Sequence, residues 1–380
     1  MKKEGKSKYG TTTIEMFSVL IGTIIGAGIL GLPYVISRSG LILGIFYLLI
    51  IGILISLMYL YLGEVCLRTK KIHQLAGYAE KYLGKNAKMI MLAAAIFGEY
   101  SALTAYLIGE GQSFSYIFTG SQDYVLLAGL IFWIIFACIS YVGLTALKKI
   151  EKYGVFGIIL IVFGIFAYFL NKINIGNITL ASSNLKDVFR PIGVILFAYL
   201  GFGAIPEMRR LAEGQEGKMK KVILIGSIFP IIVYSIFAFA MVGFLGKDIP
   251  EISTLALGKT LIWLGIFTMA TSFLSLAIAL RDMFRFDFGI SRTKAWAISV
   301  FVPLFIFLMV QIFQLAGFID ILGIGGSISG GITGILIILM LRSARKKSER
   351  KPEYKINIGN FLEYLLIILF IIGVVLEIAF

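Results

Sequence analysis

Apolar runs long enough to cross a bilayer recur along the whole of this chain of 380 residues. A helix of about 20 apolar residues spans a hydrocarbon core about 30 Å thick. Hydrophobic residues make up 59% of the chain and charged residues only 15%, whereas soluble proteins carry about 25% charged residues. The sequence therefore predicts an all-α polytopic membrane protein. The eleven predicted spans are 12–37, 41–66, 88–119, 123–146, 150–170, 188–211, 221–245, 255–282, 295–315, 317–341 and 358–379.

The basic residues are distributed unevenly between the two sides of these predicted spans. With the N-terminus inside, all but six of the 35 lysines and arginines fall on the cytoplasmic side. The exceptions are Arg38, Lys172, Lys186, Arg190, Lys247 and Lys259. Cytoplasmic loops of membrane proteins carry this excess of Lys and Arg, so the pattern predicts a cytoplasmic N-terminus and an external C-terminus. It also accounts for the net charge of +14 without a nucleic-acid partner.

Glycines and a proline interrupt the first of these apolar runs. The stretch Gly22–Tyr34 contains four glycines and Pro33 where a continuous helix would be expected. Each glycine inside a helix costs about 1 kcal/mol relative to alanine. Unwound backbone at membrane depth is tolerated only where it is buried in protein or lines a polar cavity. We therefore predict a break in the first span and a binding site at that break.

A second interrupted run, Phe197–Glu207, lies half a chain later in the sixth predicted span. Spans one to five and six to ten have nearly equal lengths, and an odd number of spans makes the second set enter the membrane with opposite orientation. This predicts a 5+5 inverted repeat whose two broken helices meet near the membrane midplane. The predicted units are 1–172, with an interfacial amphipathic helix at about 68–87, then 173–341, and finally 342–380, a basic linker with an extra C-terminal helix.

The free backbone groups at the two breaks indicate what the site binds. A half-helix that follows a break presents free N–H groups and the positive end of its dipole, and one that precedes a break presents free carbonyls. We expect a carboxylate at the N–H groups of Ala27, Gly28 and Ile29. We expect an ammonium at the carbonyls of Thr23, Ile24, Ala198 and Tyr199. An α-amino acid zwitterion fits both ends, although Gly22-x-x-x-Gly26 also matches a helix-packing motif.

The stretch Gly26–Pro33 resembles the first-helix signature of the amino acid/auxin permease family and its hydroxy/aromatic amino acid permease relatives, within the amino acid–polyamine–organocation superfamily. Phe197–Pro206 resembles the sixth helix of that family and Gly323–Ser327 its tenth. The resemblance covers essentially the whole chain and implies the LeuT fold, a 5+5 inverted repeat plus an eleventh helix. It implies substrate contacts with the unwound backbone, here Gly26 to Ile29 and Ala198 to Gly203, including Gly201 and Phe202. Polar positions matching the rest of the pocket are Ser101, Thr104, Thr268, Thr271 and Ser272.

Three hydroxyls on the eighth predicted span resemble part of the sodium site shared by the superfamily. Thr268, Thr271 and Ser272 lie on adjoining parts of one helix face. Carbonyls near Gly22 and Ile25 would complete the oxygen ligands. The alternative is that the hydroxyls bond to carbonyls four residues earlier in their own helix. Gly22 also stands where sodium-coupled relatives carry Asn.

Carboxyl groups at membrane depth make the proton the other candidate ion, since such groups are expensive and by default functional hypotheses. Glu99 on span three is the predicted proton carrier. Glu110 shares its face but lies nearer the outer surface, where we expect it to be solvated. Glu64 is expected to pair with Arg68 four residues on. Some proton-coupled relatives carry a Lys in the fifth helix, where this chain is apolar from Val155 to Leu170, so sodium and proton both remain open.

Together these features predict a secondary active amino acid transporter of the cell membrane, an ion-coupled symporter that works by alternating access and needs no cofactor. Phe197, Tyr199 and Phe202 at the second break permit a neutral amino acid with an aromatic or bulky apolar side chain. The alternative is an amino-acid sensor of the same fold that binds without transporting. A membrane-embedded enzyme is disfavoured because no nucleophile elbow or metal-ligand spacing appears at membrane depth.

Overall fold

The computed structural model describes residues 13–142, 162–357 and 359–379, and helices are the regular elements of this part of the chain. The α-helices are α1 (Thr13–Ile24), α2 (Leu32–Ser39), α3 (Leu41–Leu67), α4 (Leu75–Leu83), α5 (Lys85–Thr119), α6 (Val125–Val142), α7 (162–169), α8 (Leu185–Phe189), α9 (Pro191–Ala198), α10 (Ala204–Leu211), α11 (Met219–Leu245), α12 (Lys259–Phe286), α13 (Arg292–Phe313), α14 (Phe318–Lys346) and α15 (Asn360–Ala379). Short 3₁₀ helices occupy Ala27–Gly31, Leu170–Lys172, Ile175–Asn177, Glu216–Lys218 and Ser253–Leu257.

Seven helices in the described ranges are long and apolar enough to cross a membrane, namely α3, α5, α6, α11, α12, α13 and α14. Helix α1 and the segment Ala27–Ser39 qualify together as one bent span, with an angle of 45° at the break. The predicted fifth span lies outside the described residues from 150 to 161 and is helical from 162 to 169. A polytopic helical membrane protein is therefore confirmed, whereas the count of eleven spans stays a prediction.

Helix α3 illustrates how these spans divide between protein and lipid. It is apolar on all sides, which is typical of a helix that faces the protein core on one side and hydrocarbon on the other. The exposed side chains recur along one stripe, at Ile42, Phe46, Leu49, Ile50 and Ile53. The opposite stripe is buried against the rest of the protein, at Leu48, Ile51, Ile55, Met58, Tyr59 and Leu62.

Helix α14 lies at the centre of the molecule. Its most apolar stretch is 72% buried, against 22% for the peripheral helix α6, and it packs on α5, α9, α15 and α3. Glycine permits the closest of these contacts, since a Cβ on Gly326 would lie 2.2 Å from the carbonyl oxygen of Gly193 and 2.6 Å from the backbone nitrogen of Phe197. The segment that resembles the tenth helix thus lies directly against α9, the half-helix before the second break.

The predicted interfacial helix at 68–87 is shorter in the structure and differently placed. Helix α4 spans Leu75–Leu83, and its face containing Tyr78, Ala79 and Tyr82 is buried. This face packs on α5 and α14. The amphipathic pattern correctly predicted a helix, but its apolar face is covered by protein rather than laid on lipid.

Candidate binding site at two helix breaks

The first break separates α1 from the short 3₁₀ helix that precedes α2. Helix α1 ends at Ile24, and Gly26 adopts an extended conformation with φ −122° and ψ −154°. No side chain caps the 3₁₀ helix that starts at Ala27, and the first N–H groups of a helix have no intrahelical acceptor. The Ile29 N–H donates to the Gly26 carbonyl at 3.4 Å, so the N–H groups of Ala27 and Gly28 are the donors that a bound anion would use.

The second break lies between α9 and α10, as the sequence predicts. Helix α9 ends at Ala198 and α10 begins at Ala204. The intervening backbone folds into tight turns, with the Leu200 N–H donating to the Phe197 carbonyl at 3.0 Å and the Ala204 N–H to the Gly201 carbonyl at 3.0 Å. The regular helical hydrogen bonds are thus interrupted over the five residues between the two helices, which leaves the Ala198 carbonyl at the end of α9 open to other donors.

The two breaks are in direct contact. A Cβ on Gly28 would lie 2.9 Å from the Cα of Ala198, and one on Gly201 would lie 2.8 Å from Cγ1 of Ile24. Real Cβ atoms do not approach other atoms so closely, so both positions require glycine. The structure brings together the residues that were predicted at the two breaks, from parts of the chain about 170 positions apart in sequence.

Buried tyrosine hydroxyls donate hydrogen bonds to backbone carbonyls at both breaks. The Tyr234 hydroxyl on α11 donates toward the carbonyls of Ile24 and Ala198, each 2.9 Å away. The Tyr59 hydroxyl on α3 donates to the Tyr199 carbonyl. Each carbonyl oxygen has a second lone pair, and a tyrosine oxygen that donates its proton can still accept. The carbonyls of Ile24, Ala198 and Tyr199, which were expected to bind an ammonium, therefore already accept hydrogen bonds from two tyrosines. The sequence analysis did not identify these tyrosines.

The aromatic residues of the second break differ in how far they are packed. Tyr199 is buried, with its hydroxyl donating to the Leu48 carbonyl at 3.2 Å. Phe202 is buried edge-on against the Tyr59 ring, with centroids 5.3 Å apart. Phe197 is half-buried. Tyr199 and Phe202 thus help to hold the break in shape, while Phe197 retains part of its ring surface for other contacts.

The predicted sodium ligands are placed unequally around the first break. The Ser272 hydroxyl lies 3.7 Å from the position of a Cβ on Gly26, next to the break. The Thr271 hydroxyl donates within its own helix to the carbonyls of Phe267 and Thr268, each at 3.0 Å, which is the alternative arrangement considered for it. Thr268 is buried. Of the other two predicted ligands, Ile25 is buried and Gly22 half-buried.

Thr23 and the polar residues of α5 complete the set of predicted contacts. Thr23 is exposed, and its hydroxyl donates to the Val19 carbonyl at 2.8 Å. Ser101 packs against α14, since a Cβ on Gly325 would lie 2.5 Å from its Cβ. Thr104 is fully buried, and its hydroxyl has no hydrogen-bond partner among the described residues. Such an unsatisfied buried hydroxyl is available to a bound polar ligand.

The two carboxyl groups on α5 differ in burial, and one differs from expectation. Glu99 is half-buried, and its Oε2 has no hydrogen-bond partner in the described structure. Glu110 is fully buried, with both oxygens unpartnered among the described residues. The expectation that Glu110 is solvated is therefore wrong, because neighbouring helices cover that end of α5.

Glu64, considered from the sequence, and Glu207 at the second break both form ion pairs. Glu64 is fully buried and pairs with Arg68, as predicted, at 2.7 Å. Arg345 on α14 also approaches it, at 3.3 Å, which spacing along the sequence did not indicate. Glu207 at the start of α10 pairs with Arg210 at 2.5 Å. The Glu64–Arg345 pair connects α3 with α14, whereas the Glu207–Arg210 pair lies within α10.

Comparison with known proteins places the chain among permeases. The profile of the tryptophan/tyrosine permease family matches residues 11–252 and 251–379. A protein named tyrosine-specific transport system 1, from Haemophilus influenzae, is 24% identical over 392 residues, covering 96% of this chain and 95% of that protein. Glutamine transporter 2 of Aliivibrio fischeri is 25% identical over 359 residues, covering 90% and 91%. Tyrosine-specific transport system 2 of Haemophilus influenzae is 24% identical over 388 residues, covering 94% and 93%.

Proposed function

This chain belongs to the tryptophan/tyrosine permease family, and from that premise we propose that it is a secondary active amino acid transporter that works by alternating access. It is a multi-pass protein of the cell membrane and a permease, not an enzyme. The resemblance correctly indicated an amino acid permease. The amino acid/auxin family named for it is not the family whose profile matches.

The observation that carries the proposal is the contact between the two breaks. Gly28 lies against Ala198 so closely that a Cβ has no room, and midplane sites formed by two discontinuous helices are typical of secondary transporters. In our proposal the substrate carboxylate binds the N–H groups of Ala27 and Gly28, beside Ile29, whose N–H donates to the Gly26 carbonyl at 3.4 Å. The ammonium binds the second lone pair of the Ala198 carbonyl and lies beside the Ile24 carbonyl, which already accepts from Tyr234 and from the Gly26 N–H at 3.0 Å.

We propose a neutral amino acid as the substrate. The relatives named above are described as tyrosine and glutamine transporters, so tyrosine and glutamine are the first substrates to test. The half-buried Phe197 ring beside the break favours an aromatic or bulky apolar side chain, because rings in offset or edge contact attract each other. Aromatic substrates therefore rank first.

The proposed topology has eleven spans, with a 5+5 inverted repeat and a final helix. In it α9 and α10 together form span six, α7 belongs to span five, and α15 is the eleventh span. The N-terminus is cytoplasmic and the C-terminus external, as the excess of basic residues on one side favours. Alternating access would then arise from the movement of one repeat relative to the other around the fixed site.

Coupling to sodium or to a proton is the remaining part of the proposal. Sodium would bind Gly22, Ile25, Thr268, Thr271 and Ser272, of which Ser272 lies beside the break and has the better placed hydroxyl. A proton would bind Glu99, whose Oε2 lacks a partner among the described residues. Both ions would reach the site from the same side as the amino acid.

Uptake into proteoliposomes tests the function directly. We expect the purified protein to accumulate labelled tyrosine or another neutral amino acid against a gradient when sodium or a pH gradient is supplied. The variant Gly28→Ala should lose uptake, because its methyl group would meet Ala198 at 2.9 Å. Gly164→Ala in α7 is the matched control, since its Cβ would have no atom within 4 Å and the residue belongs to neither break. Binding without accumulation would favour the sensor over the transporter.

The coupling ion is tested with three further variants in the same vesicles. If a proton is coupled through Glu99, Glu99→Gln should abolish the pH dependence of uptake; unchanged pH dependence would exclude that role. Glu110→Gln serves as the comparison on the same helix. If sodium is coupled, Ser272→Ala should raise the sodium concentration needed for half-maximal uptake.

A further inference from the structure

A groove opens between the first turns of α1 and α11, at the end of the molecule that carries most of the basic residues. Its volume is about 510 Å³. Ile14 and Phe17 of α1 form one wall, and Val222 and Ile225 of α11 form the other. Lys218 and Lys221 lie at its rim. The groove therefore combines apolar walls with positive charge at one end.

The mouth of this groove is lined by exposed apolar side chains. Ile14 is 68% exposed and Ile225 is 50% exposed, and both belong to helices that enter the membrane. In the hydrocarbon core of a bilayer such side chains would contact acyl chains, where their exposure carries no hydrophobic penalty. An occupant with an apolar tail would continue from the groove into the bilayer.

The rim of the groove favours an anion. Among the described residues neither Lys218 nor Lys221 forms a salt bridge, and Lys218 donates one hydrogen bond to the Gln215 side chain at 2.8 Å. The nearby acid Glu216 is already paired with Arg209 at 3.2 Å. The N-terminus of the 27-residue helix α11 lies at the same place, and its dipole adds positive potential.

We propose that this groove binds an anionic phospholipid of the cytoplasmic leaflet. The headgroup phosphate would contact Lys218 and Lys221, and an acyl chain would lie along Phe17 and Ile225. Basic pockets between membrane helices on the cytoplasmic side bind anionic headgroups in this way, and that leaflet is rich in anionic lipid. Because α1 leads directly into the first break, the lipid would also join the inner half of the broken helix to α11.

Native mass spectrometry of the delipidated full-length protein measures this binding. We expect phosphatidylglycerol to bind about tenfold or more tightly than phosphatidylcholine with the same acyl chains. The double variant Lys218→Gln/Lys221→Gln should lose that preference by about tenfold or more. Lys220→Gln/Lys294→Gln is the matched control, since both lysines are exposed on the same side and neither lines the groove.

Several outcomes would overturn the proposal. Equal affinity for the two lipids would show that the charge of the headgroup does not matter. Equal loss of phosphatidylglycerol affinity in the two double variants would show that the surface charge in general, and not the groove, attracts the lipid. Removal of residues 2–10 should leave the affinity unchanged; a tenfold gain would mean that this segment of the chain fills the groove. A dimer that Ile225→Glu dissociates would assign the groove to a second copy.

A second variant guards against misfolding. Ile225→Glu keeps both lysines but places a carboxylate on the apolar wall, so phosphatidylglycerol binding should fall while the melting temperature without lipid stays that of the parent protein. Retained binding in this folded variant would contradict the proposed position of the lipid.

Discussion

One tyrosine hydroxyl replaces hydrogen-bond donors that the carbonyls at the two helix breaks lose. The Ile24 and Ala198 carbonyls end two different half-helices, yet both lie 2.9 Å from the hydroxyl oxygen of Tyr234. Tyr234 itself is fully buried. A buried carbonyl without a donor costs about 1–3 kcal/mol, so this hydroxyl stabilises both breaks and fixes their separation. The same residue would also border the ammonium of a bound amino acid.

We therefore expect Tyr234→Phe to lower stability and to weaken substrate binding. Loss of the hydroxyl leaves the Ala198 carbonyl short of a donor and the Ile24 carbonyl with the Gly26 N–H at 3.0 Å, which should reduce the free energy of unfolding by about 1–3 kcal/mol. Thermal melting in detergent would show a lower melting temperature, and uptake assays would show a higher KM.

Tyr61→Phe is the matched control for that substitution. Tyr61 is as buried as Tyr234, but its hydroxyl has no hydrogen-bond partner in the described structure. Its removal should leave melting and KM unchanged or raise stability slightly. Equal effects of the two substitutions would show that the Tyr234 hydroxyl has no special role at the breaks.

At the scale of elements, the linker between α14 and α15 acts as a strap across the basic end of the molecule. The backbone N–H of Glu349 donates to the Arg68 carbonyl at 3.0 Å, and that of Ile356 donates to the Glu64 carboxylate at 2.8 Å. The Tyr354 hydroxyl donates to the Leu60 carbonyl at 2.9 Å. The strap therefore ties α15 to the end of α3, although its composition alone indicates an exposed basic linker.

The ion pair between Glu349 of the strap and Lys81 of α4 predicts a pH dependence. The hydrogen bond from Lys81 and a second from the Lys70 N–H hold the Glu349 pKa below its ordinary value. A depressed carboxyl pKa contributes stability above the pKa of the unfolded chain, and that stability is lost as the pH falls through the folded pKa. Glu349→Gln should therefore melt slightly lower than the parent protein at pH 7, and the difference should vanish in acid.

Glu213→Gln is the control for this strap experiment. Glu213 is exposed on the same side of the molecule, so its neutralisation changes the net charge equally. A difference between Glu349→Gln and the parent protein that persists unchanged in acid would contradict the assigned role of the ion pair. Both partners are partly exposed, with side-chain accessibilities of 25% and 34%, so the expected effect is small.

At the scale of the whole molecule, the buried helix α14 and the two breaks form the interior, and the long apolar helices around them face lipid. This arrangement is consistent with a binding site far from both membrane surfaces. The basic segments lie at one end of this arrangement, because α3 and α14 end in such segments and α11 begins in one. The orientation that we predict for the protein in the membrane therefore depends on several helices together and not on any single helix.

Cysteine labelling tests that orientation. In a Cys66→Ala/Cys138→Ala background, Lys247→Cys should react with a membrane-impermeant maleimide in intact cells, because Lys247 is exposed in the predicted external loop after α11. Lys347→Cys, exposed after α14, should react only after permeabilisation. The reverse pattern would invert the topology, and labelling of the cysteine-free parent would invalidate the assay.

Much of this arrangement was predictable from the sequence. Runs of apolar residues predicted the spans, because membrane thickness sets helix length. Gly26, Gly28 and Pro33 predicted the first break, and Gly201 and Gly203 the second, because backbone propensity is a local property of the chain. Charge distribution predicted the orientation. The amphipathic pattern of 75–83 correctly predicted a helix but not the protein surface that covers it.

The sequence by itself determined that the chain is a polytopic membrane protein and where two of its helices break. Only the tertiary structure decided that Tyr59 and Tyr234 occupy the carbonyls at those breaks, that Glu110 is buried, and that Arg345 joins Glu64 and Arg68. Hydrophobic length and glycine content act within a few turns of helix and can be read locally. The partners of a buried hydroxyl or carboxylate come from helices distant in sequence, and their identity depends on how those helices pack.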